Sequence, residues 1–217
     1  YASEHFDAVL QLWYPGAQGG KAAAKVLFGE VSPSGKLPVT FYESLDELPE
    51  FTDYRMAGRT YRYMKGKAQY PFGYGLTYGD VCVTEAVIAG CMETACGCGS
   101  KSSDGGFDSQ ALTILAGICN AGTHATDEIL QVYVKNHDCA DPDKHPELCA
   151  FARIHLDAGE KKQIRIPVGH RALTVVGEDG IRRDGGKSYT FYVGCSQPDA
   201  RSEELTGKRA VEIAYRR

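Results

Sequence analysis

The stretch that decides how this chain is organised is GRTYRYMKGKAQYPFGYGLTYGD, which runs from Gly58 to Asp80. Its 23 residues include five tyrosines, one phenylalanine, two arginines and five glycines. Each glycine inside a helix costs about 1 kcal/mol relative to alanine, so this density argues against a continuous helix. Pro71 restricts its own backbone and that of Tyr70, while Gly73 and Gly75 permit angles that other residues avoid. The stretch is therefore predicted to be an aromatic, turn-rich connector.

Two functions suit such a connector. Buried Tyr and Phe side chains each remove roughly 150–250 Å² from water, which is enough to hold a junction between two domains together. Flat rings also stack on sugars and arginines bind their hydroxyl groups, which favours a carbohydrate-facing loop. The two interpretations are compatible, and both stay open at this point.

Length and composition restrict the class of protein. At 217 residues the chain should hold one to two domains, and 43% hydrophobic residues can supply a core. The formal net charge is −4, with acidic and basic residues interspersed, so nucleic acid is not an expected partner. No apolar run approaches the roughly 18 residues that span a bilayer, so a membrane is not expected as a partner either.

Eight cysteines are many for this length. None precedes Cys82, and their clustering does not resemble a compact secreted disulfide scaffold, so we predict free thiols in a reducing cytoplasm. Two clusters offer metal-ligating side chains: Cys91, Cys96 and Cys98 in one, and His137, Cys139, His145 and Cys149 in the other. Neither has the paired C-x-x-C spacing of a structural zinc site, so no metal is expected.

Residues 1–45 are predicted to be a remnant of an α/β domain. Asp7–Tyr14 is largely apolar and ends at a Pro-Gly pair, as a buried strand does. Gly20–Phe28 predicts a helix, and Lys36–Phe41 predicts a second strand. One strand–helix–strand unit cannot bury both faces of a parallel sheet, so the segment is interpreted as part of something larger. Residues 46–80 lack periodicity and predict an extended linker lying across a surface.

From residue 81 the pattern changes to short strands separated by turn residues. In Glu128–Lys135 and Lys187–Cys195, for example, alternate apolar residues share one face. About seven such strands with regular turn signals predict an antiparallel β-sandwich. A late apolar piece, Ala210–Tyr215, is expected either to add an edge strand or to lie over the surface. The fold class is therefore mainly β, with the sandwich spanning residues 81–217.

The chain resembles glycoside hydrolase family 3, the family of β-glucosidases and β-xylosidases. The motifs that carry the resemblance are, in chain order, WYPGAQGG (Trp13–Gly20), VLFG (Val26–Gly29), PSGKLPVTF (Pro33–Phe41), GRTYRY (Gly58–Tyr63), YPFGYGLTY (Tyr70–Tyr78), DEILQVYV (Asp127–Val134) and FARIHLDAGE (Phe151–Glu160). The first three resemble the end of the family's α/β sandwich domain, and the next two its linker. The last two resemble its fibronectin type III-like domain, which the resemblance assigns to residues 81–217.

The resemblance implies the C-terminal portion of a retaining β-glycosidase. In that family an aspartate nucleophile lies on a barrel domain, and the acid/base glutamate usually comes from an earlier part of the sandwich domain. Retention requires two carboxyl groups about 5–5.5 Å apart, one ionised and one protonated. No motif here matches either carboxylate, so no catalytic residue, metal or cofactor is assigned. Seven acids that precede Gly58 are predicted to be solvated surface residues: Glu4, Glu30, Glu43, Asp46, Glu47, Glu50 and Asp53.

Six residues are candidates for contacts with substrate or between domains: Trp13, Gln18, Arg59, Tyr61, Arg62 and Phe72. Trp13 can act as a sugar platform or pack as a corner. Gln18 can bind hydroxyl groups or cap the following helix. Arg59 and Arg62 can clamp acids of the barrel or bind a distal sugar unit.

We therefore predict a chain that braces the catalytic domains of a β-glycosidase and is inactive when alone. Its expected partners are the barrel and α/β domains and, at most, a β-linked oligosaccharide. Self-association through the aromatic linker is expected if Tyr61, Tyr63, Tyr70, Phe72 and Tyr74 stay partly uncovered, with early proteolytic cuts before about residue 70. The alternative is a stand-alone carbohydrate-binding or adhesion module, which would have no use for the strand–helix–strand unit in residues 1–45.

Overall fold

Two antiparallel sheets form most of the regular structure in the computed structural model, which describes residues 1–90, 110–139 and 144–217. One sheet has the strand order β1-β2-β5, the other has the order β4-β3-β8-β9, and β6 pairs with β7 in a small hairpin. In chain order the strands are β1 (Val81–Ile88), β2 (Gln110–Asn120), β3 (Thr126–Asn136), β4 (Glu147–Leu156), β5 (Lys161–Gly169), β6 (Thr174–Val176), β7 (Arg182–Asp184), β8 (Ser188–Gly194) and β9 (Val211–Arg216). The predicted mainly β fold is confirmed.

The core lies between the two sheets, on the alternating apolar residues that the strand pattern predicted. Ile114 on β2 is opposite Ile166 on β5, and Val132 on β3 is opposite Val193 on β8. All four side chains are at most 1% exposed. Burying an aliphatic side chain of this size contributes roughly 1.5–3 kcal/mol, so this layer is the main source of stability. The late apolar piece, Ala210–Tyr215, was expected either to add an edge strand or to lie over the surface. It forms β9, an edge strand that pairs with β8.

Strand β3 is buried on both faces, which sets it apart from its neighbours. Leu130, Val132 and Val134 point into the core, while Gln131 and Tyr133, on the opposite face, are 2% and 0% exposed. A sandwich strand ordinarily has one face in water. The second face of β3 is covered here by Gly58–Asp80, as the hydrogen bonds and ring contacts described below show.

The helices are short: α1 (Ala2–His5), α2 (Gly19–Leu27), α3 (Thr60–Tyr63) and α4 (Ala200–Thr206), with 3₁₀ turns at Leu45–Glu47 and His170–Leu173. The helix predicted over Gly20–Phe28 is confirmed as α2, within one residue at each end. Across the described parts of the chain, none of the helices has the length and hydrophobicity needed to cross a bilayer.

The two strands predicted in residues 1–45 are absent from this fully described segment. Asp7–Tyr14 has no strand structure and all of its residues are exposed, so that prediction is wrong. Lys36–Phe41 contributes only an isolated bridge between Phe41 and Tyr70. A parallel strand is held by hydrogen bonds to neighbouring strands, and no described strand lies beside Asp7–Tyr14. Local apolar composition is therefore not sufficient for a strand here.

Candidate functional site

The candidate site is the junction, defined as Gly58–Asp80 together with the surface of the sandwich that this stretch covers. Three rings form its centre. Tyr61 and Phe72 stack with their ring centroids 4.3 Å apart, and both meet Tyr133 of β3 edge-on, at 6.3 and 6.5 Å. Such pairs add about 0.5–1.5 kcal/mol beyond the apolar area that they bury. The linker is thus attached to the outer face of β3 by aromatic packing.

A buried amide completes this attachment. The Tyr133 hydroxyl donates to Gln131 Oε1 at 2.7 Å, and Gln131 Nε2 donates to the carbonyl oxygens of Gly73 and Cys195, both at 3.0 Å. Burial raises the pKa of Tyr133 well above its ordinary value, so the phenol keeps its proton and can donate. Gly73 has a φ of +76°, and a Cβ there would lie 2.3 Å from Gln131 Oε1. Only glycine suits this position.

An ion pair anchors a second part of the junction. Lys36 Nζ lies 2.7 Å from Glu128 Oε1 on β3, and their side chains are 9% and 7% exposed. The same ammonium group donates to the Gly75 carbonyl at 2.6 Å. Backbone bonds from Leu37 N to Tyr74 O and from Gly73 N to Leu37 O, both 2.8 Å, run alongside. Segment Ser32–Phe41 is therefore bound to the linker and the sandwich together.

The start of β4 anchors the other end of the linker. Arg62 Nη1 lies 2.8 Å from Glu147 Oε2, and the Leu148 amide donates to the Tyr61 hydroxyl at 3.2 Å. The His145 amide donates to the Arg62 carbonyl at 3.0 Å. Arg62, predicted to meet an acid of another domain, therefore already has an acid partner within this chain.

The six predicted residues fall into two groups. Tyr61, Arg62 and Phe72 lie in the junction, as the contacts above show. Trp13 is 49% exposed, and its ring contacts Phe41 at a centroid distance of 6.3 Å. Gln18 is exposed and occupies the N-cap position of α2, but its side chain makes no capping hydrogen bond.

Arg59 is bound within its own segment. Its Nη2 donates to the carbonyl oxygens of Glu50 at 3.0 Å and Asp53 at 2.6 Å. The guanidinium group thus closes a local turn of the linker. A role for Trp13, Gln18 or Arg59 toward a sugar or another domain stays a prediction.

The sequence reasoning missed four residues that hold the junction together: Lys36, Glu128, Gln131 and Tyr133. A signal for Glu128 was present, because its position, two residues before Leu130 and four before Val132, puts it on the same inward-facing side of β3. An acid at such a position requires a partner when it is buried. No local signal identified Gln131 and Tyr133, because they occupy the face that ordinarily meets water.

The structure describes all seven acids that were predicted to be solvated. Those predicted to be surface residues are exposed, with the exception of the half-buried Asp53. Hydrogen bonds from the Arg55 side chain and amide hold the pKa of Asp53 far below its usual range. A carboxylate held ionised in this way cannot supply the proton that a general acid must donate.

The five described cysteines are free thiols: Cys82, Cys119, Cys139, Cys149 and Cys195. Burial raises the pKa of Cys195 to about 12, so this thiol is unreactive at neutral pH. Cys91, Cys96 and Cys98 lie outside the described residues. In the second cluster, His137 Nε2 bonds Thr190, His145 Nε2 bonds the Met64 carbonyl, and Cys149 donates to the Val132 carbonyl. Within the described ranges no three His, Cys, Asp or Glu side chains converge as metal ligands.

Two family descriptions match this chain in the order of its structural parts. Residues 1–78 match the glycosyl hydrolase family 3 C-terminal domain, and residues 128–197 match a fibronectin type III-like domain. The second match covers β3, β4, β5 and β8, so the predicted fibronectin type III-like character of the sandwich is confirmed.

Individual relatives agree with these matches. A xylan 1,4-beta-xylosidase from Xylanibacter ruminicola is 35% identical over 94% of this chain and 22% of its own length. A periplasmic beta-glucosidase from Salmonella typhimurium is 29% identical over 77% of this chain and 22% of its own length. The crystal structure of a beta-D-glucoside glucohydrolase from Trichoderma reesei shares the fold, with a TM-score of 0.74 and 19% identity over 93% of this chain and 29% of that one.

The chain spans less than a third of the length of each of these relatives. Its residues align with the family's C-terminal domain and with the fibronectin type III-like domain. The resemblance drawn from the motifs is thereby confirmed: the chain belongs to glycoside hydrolase family 3, of which it carries the C-terminal domain and a fibronectin type III-like β-sandwich.

Proposed function

We propose that this chain is the non-catalytic C-terminal portion of a retaining β-glycosidase that acts on β-glucosides or β-xylosides. In this role it presents residues 1–57 to the catalytic domains and holds that face in place through the junction. The names of the relatives, a beta-xylosidase and a beta-glucosidase, support the substrate class. The small share of their length that the chain covers supports a partner made of the remaining domains.

One observation carries the proposal: residues 1–60, all of which the structure describes, contain no buried residue. Large apolar side chains there are almost fully exposed, including Phe28 at 84%, Phe51 at 91% and Tyr54 at 89%. Covering each 100 Å² of such surface contributes about 2.5 kcal/mol. An extended apolar surface of this kind typically marks an interaction site.

The junction gives this surface its orientation. The aromatic triad and the Gln131 hydrogen bonds join Gly58–Asp80 to β3, and the Lys36–Glu128 pair joins Ser32–Phe41 to the same strand. A partner that packs on residues 1–57 also meets Ser32–Phe41, the part of that surface bound to the sandwich and the linker, and is therefore positioned relative to the sandwich. This is the bracing role that the sequence predicted.

The alternative, a stand-alone carbohydrate-binding module, lacks support in residues 1–57. A free module would expose Phe28 and Phe51 without any benefit to stability. Self-association through the same apolar surface stays part of the proposal for the isolated chain. We also propose the cytoplasm as its compartment, supported by the five free thiols of the described residues.

A chimera tests the proposed function. The region of the Xylanibacter ruminicola xylosidase that matches this chain is replaced by residues 1–217, and hydrolysis of an aryl β-xyloside is measured. We expect the chimera to be active and this chain alone to show no turnover. Phe28→Ser should weaken activity and thermal stability of the chimera, because it removes an apolar contact with the catalytic domains.

Phe151→Ser is the matched control, because Phe151 is 69% exposed but lies on β4 of the sandwich. It should leave the chimera unchanged. Equal effects of the two substitutions, or an active chain without the catalytic domains, would contradict the proposal.

A further inference from the structure

Two of the free thiols lie directly opposite each other in the sheet β1-β2-β5. Cys82 on β1 and Cys119 on β2 are register partners, and both are half-buried. Their neighbours Val81 and Ile118 are buried in the core, at 1% and 2% exposure. Successive side chains alternate between the two faces of a strand, so the two cysteines share the outer face of this sheet. Among the strand pairs that the structure describes, no other register position sets two cysteines opposite each other.

The spacing of this pair suits a disulfide. The Ala121 amide donates to the Asp80 carbonyl at 2.8 Å, and this bond flanks the neighbouring pair of the ladder, which is therefore a non-hydrogen-bonded one. The two kinds of pair alternate along antiparallel strands, so Cys82 and Cys119 form a hydrogen-bonded pair. The Cα atoms of such a pair are about 5.5 Å apart, and disulfides bridge Cα atoms that are about 4.4–6.8 Å apart.

Closing the bond requires a small movement of β1. Cβ atoms directly opposite each other are about 4.5–5.5 Å apart, whereas a disulfide holds them about 3.5–4.5 Å apart. β1 can move, because it is the edge strand of its sheet and its register shifts between Val83 and Glu85, next to Cys82. A disulfide that is strained or exposed is reduced more easily than a relaxed, buried one. The geometry therefore favours a reversible bond over a permanent one.

Two other described thiols are poor competitors for this bond. Burial raises the pKa of Cys149 well above its ordinary value and raises the pKa of Cys195 to about 12. The thiolate is the reactive form, so both groups stay protonated and inert at neutral pH. Cys82 and Cys119 are only half-buried and keep contact with solvent.

We propose that Cys82 and Cys119 form a reversible disulfide when the folded chain meets a small disulfide such as oxidised glutathione. One cysteine thiolate attacks the glutathione disulfide, which forms a mixed disulfide and releases one glutathione thiolate. The second cysteine thiolate attacks the cysteine sulfur of that mixed disulfide and releases the other glutathione. Two cysteine thiols are thus oxidised, one glutathione disulfide is reduced, and the two thiol protons end on glutathione.

This bond acts where the linker enters the sandwich. Asp80 ends the linker and Val81 begins β1. Asn120, which is 0% exposed, accepts from the Asp80 amide through its Oδ1 at 3.0 Å. A covalent link between the adjacent Cys82 and Cys119 fixes this entry point to β2. The inference goes beyond the bracing function, because bracing requires no change of redox state.

The test is oxidation of the folded, reduced 217-residue chain with oxidised glutathione, followed by alkylation, digestion with trypsin and Glu-C, and mass spectrometry. These proteases place Cys82 within residues 68–85 and Cys119 within residues 102–128, apart from every other cysteine. We expect these two peptides to be joined, and to separate with dithiothreitol. A link that closes a loop of this length should raise the melting temperature by about 5 °C or more.

Cys82→Ser and Cys119→Ser should each abolish the joined peptides and the rise in melting temperature. Cys139→Ser is the matched control, because Cys139 is also a half-buried free thiol but lies outside this pair. It should form the bond as the unsubstituted chain does. If a serine variant fails to fold, the peptides of the unsubstituted chain still decide the question.

Glutathione adducts without joined peptides, or joined peptides that contain other cysteines instead, would overturn the proposal. A bond between Cys82 and Cys119 that forms only in denaturant would overturn it too, because the folded register would then play no part. An oxidised chain whose melting temperature is unchanged or lower would show that the bond does not hold β1 to β2.

Discussion

Residues 1–31 and most of Gly58–Asp80 fall within the match to the family's C-terminal domain, but the two regions differ in how they are held. The first region contains no buried residue, and Tyr14 and Phe28 are almost fully exposed. The second contains the buried Met64, Ala68, Pro71 and Gly73. Both are rich in apolar and aromatic residues. Burial therefore depends on the surface that each region meets, and only the second meets the sandwich.

The difference is decided by specific partners. Gly58–Asp80 packs on Tyr133 and receives a hydrogen bond from Gln131, both on the outer face of β3. Residues 1–31 make a few isolated contacts with the linker, such as the bond from the Tyr78 hydroxyl to the Val26 carbonyl at 2.7 Å. Segment Ser32–Phe41, which follows directly, is bound through Lys36. The boundary between loosely and firmly held chain thus lies near Ser32.

Limited trypsin digestion should show the largest effect. Lys25 and the exposed Arg55 lie in weakly held chain, whereas Arg62 pairs with Glu147 in the junction. We expect cleavage at Lys25 and Arg55 to be faster than at Arg62 by on the order of a hundredfold or more, because cleavage follows local opening. Mass spectrometry of the early products identifies the sites. The resistant fragment should therefore include Tyr61 and Phe72 rather than begin after residue 70.

Early cuts at Arg62 in a monomeric sample would contradict this expectation. They would show that the aromatic contacts of the junction open as freely as residues 1–31.

Replacing Lys36 should give the largest loss of stability. Lys36→Met leaves Glu128 buried at 7% exposure without its partner, and breaking a buried pair in this way costs about 3–5 kcal/mol. Lys25→Met is the control, because Lys25 lies 3.8 Å from Glu30 with both side chains well exposed, and exposed pairs contribute about 0–1 kcal/mol. Denaturant unfolding measures both free energies. Equal losses would show that Ser32–Phe41 detaches as readily as residues 1–31.

Two glycines with the same backbone conformation lie in the two regions, one in each. Gly73 has a φ of +76° and Gly29 a φ of +77°, but only at Gly73 would a Cβ meet other atoms within 4 Å. Gly29→Ala should cost about 1–2 kcal/mol, confined to the end of α2. Gly73→Ala adds a clash with Gln131 and Tyr133, so we expect a loss of about 3 kcal/mol or more in the free energy of unfolding.

Denaturant unfolding and the near-UV circular dichroism of the tyrosines report both variants. Similar losses at the two positions would mean that the linker moves away from β3 without cost.

The smallest expected effect is a dependence on pH that belongs to the sandwich alone. A hydrogen bond to Asp127 Oδ1 at 2.7 Å raises the pKa of His155 above its ordinary value of 6.5. The folded chain therefore binds this proton more tightly than the unfolded chain. The stabilisation is fully present below pH 6.5 and is lost as the pH rises through the higher folded pKa. Because His155 is exposed, the change in unfolding free energy should be small.

His155→Gln should remove this loss of stability at pH above 6.5, measured by thermal unfolding over a pH series. His5→Gln in α1 is the control and should leave the sandwich transition unchanged. A pH dependence that follows His5 would mean that residues 1–31 unfold together with the sandwich.

Local patterns in the sequence were sufficient to predict the sandwich, its strand positions and the family. Alternation of apolar residues in strands such as Glu128–Lys135 follows from the period of two in a β-strand, and it needs no knowledge of distant contacts. Helix α2 was also predicted from a local signal, an apolar and alanine-rich run that ends at Gly29. The linker was recognised from its aromatic and glycine content, although its partner surface was not.

Which segments are held, and by what, depends on contacts between residues far apart in the chain. Asp7–Tyr14 has the composition of a strand but no described neighbour to bond with, so it is not one. Arg62 and Glu147 are 85 positions apart in sequence and form a pair at 2.8 Å. Gln131 and Tyr133 occupy positions that an isolated sandwich would leave in water, and the linker buries them. Side-chain periodicity determines which face of a strand a residue occupies, but what covers that face depends on residues far away in the chain.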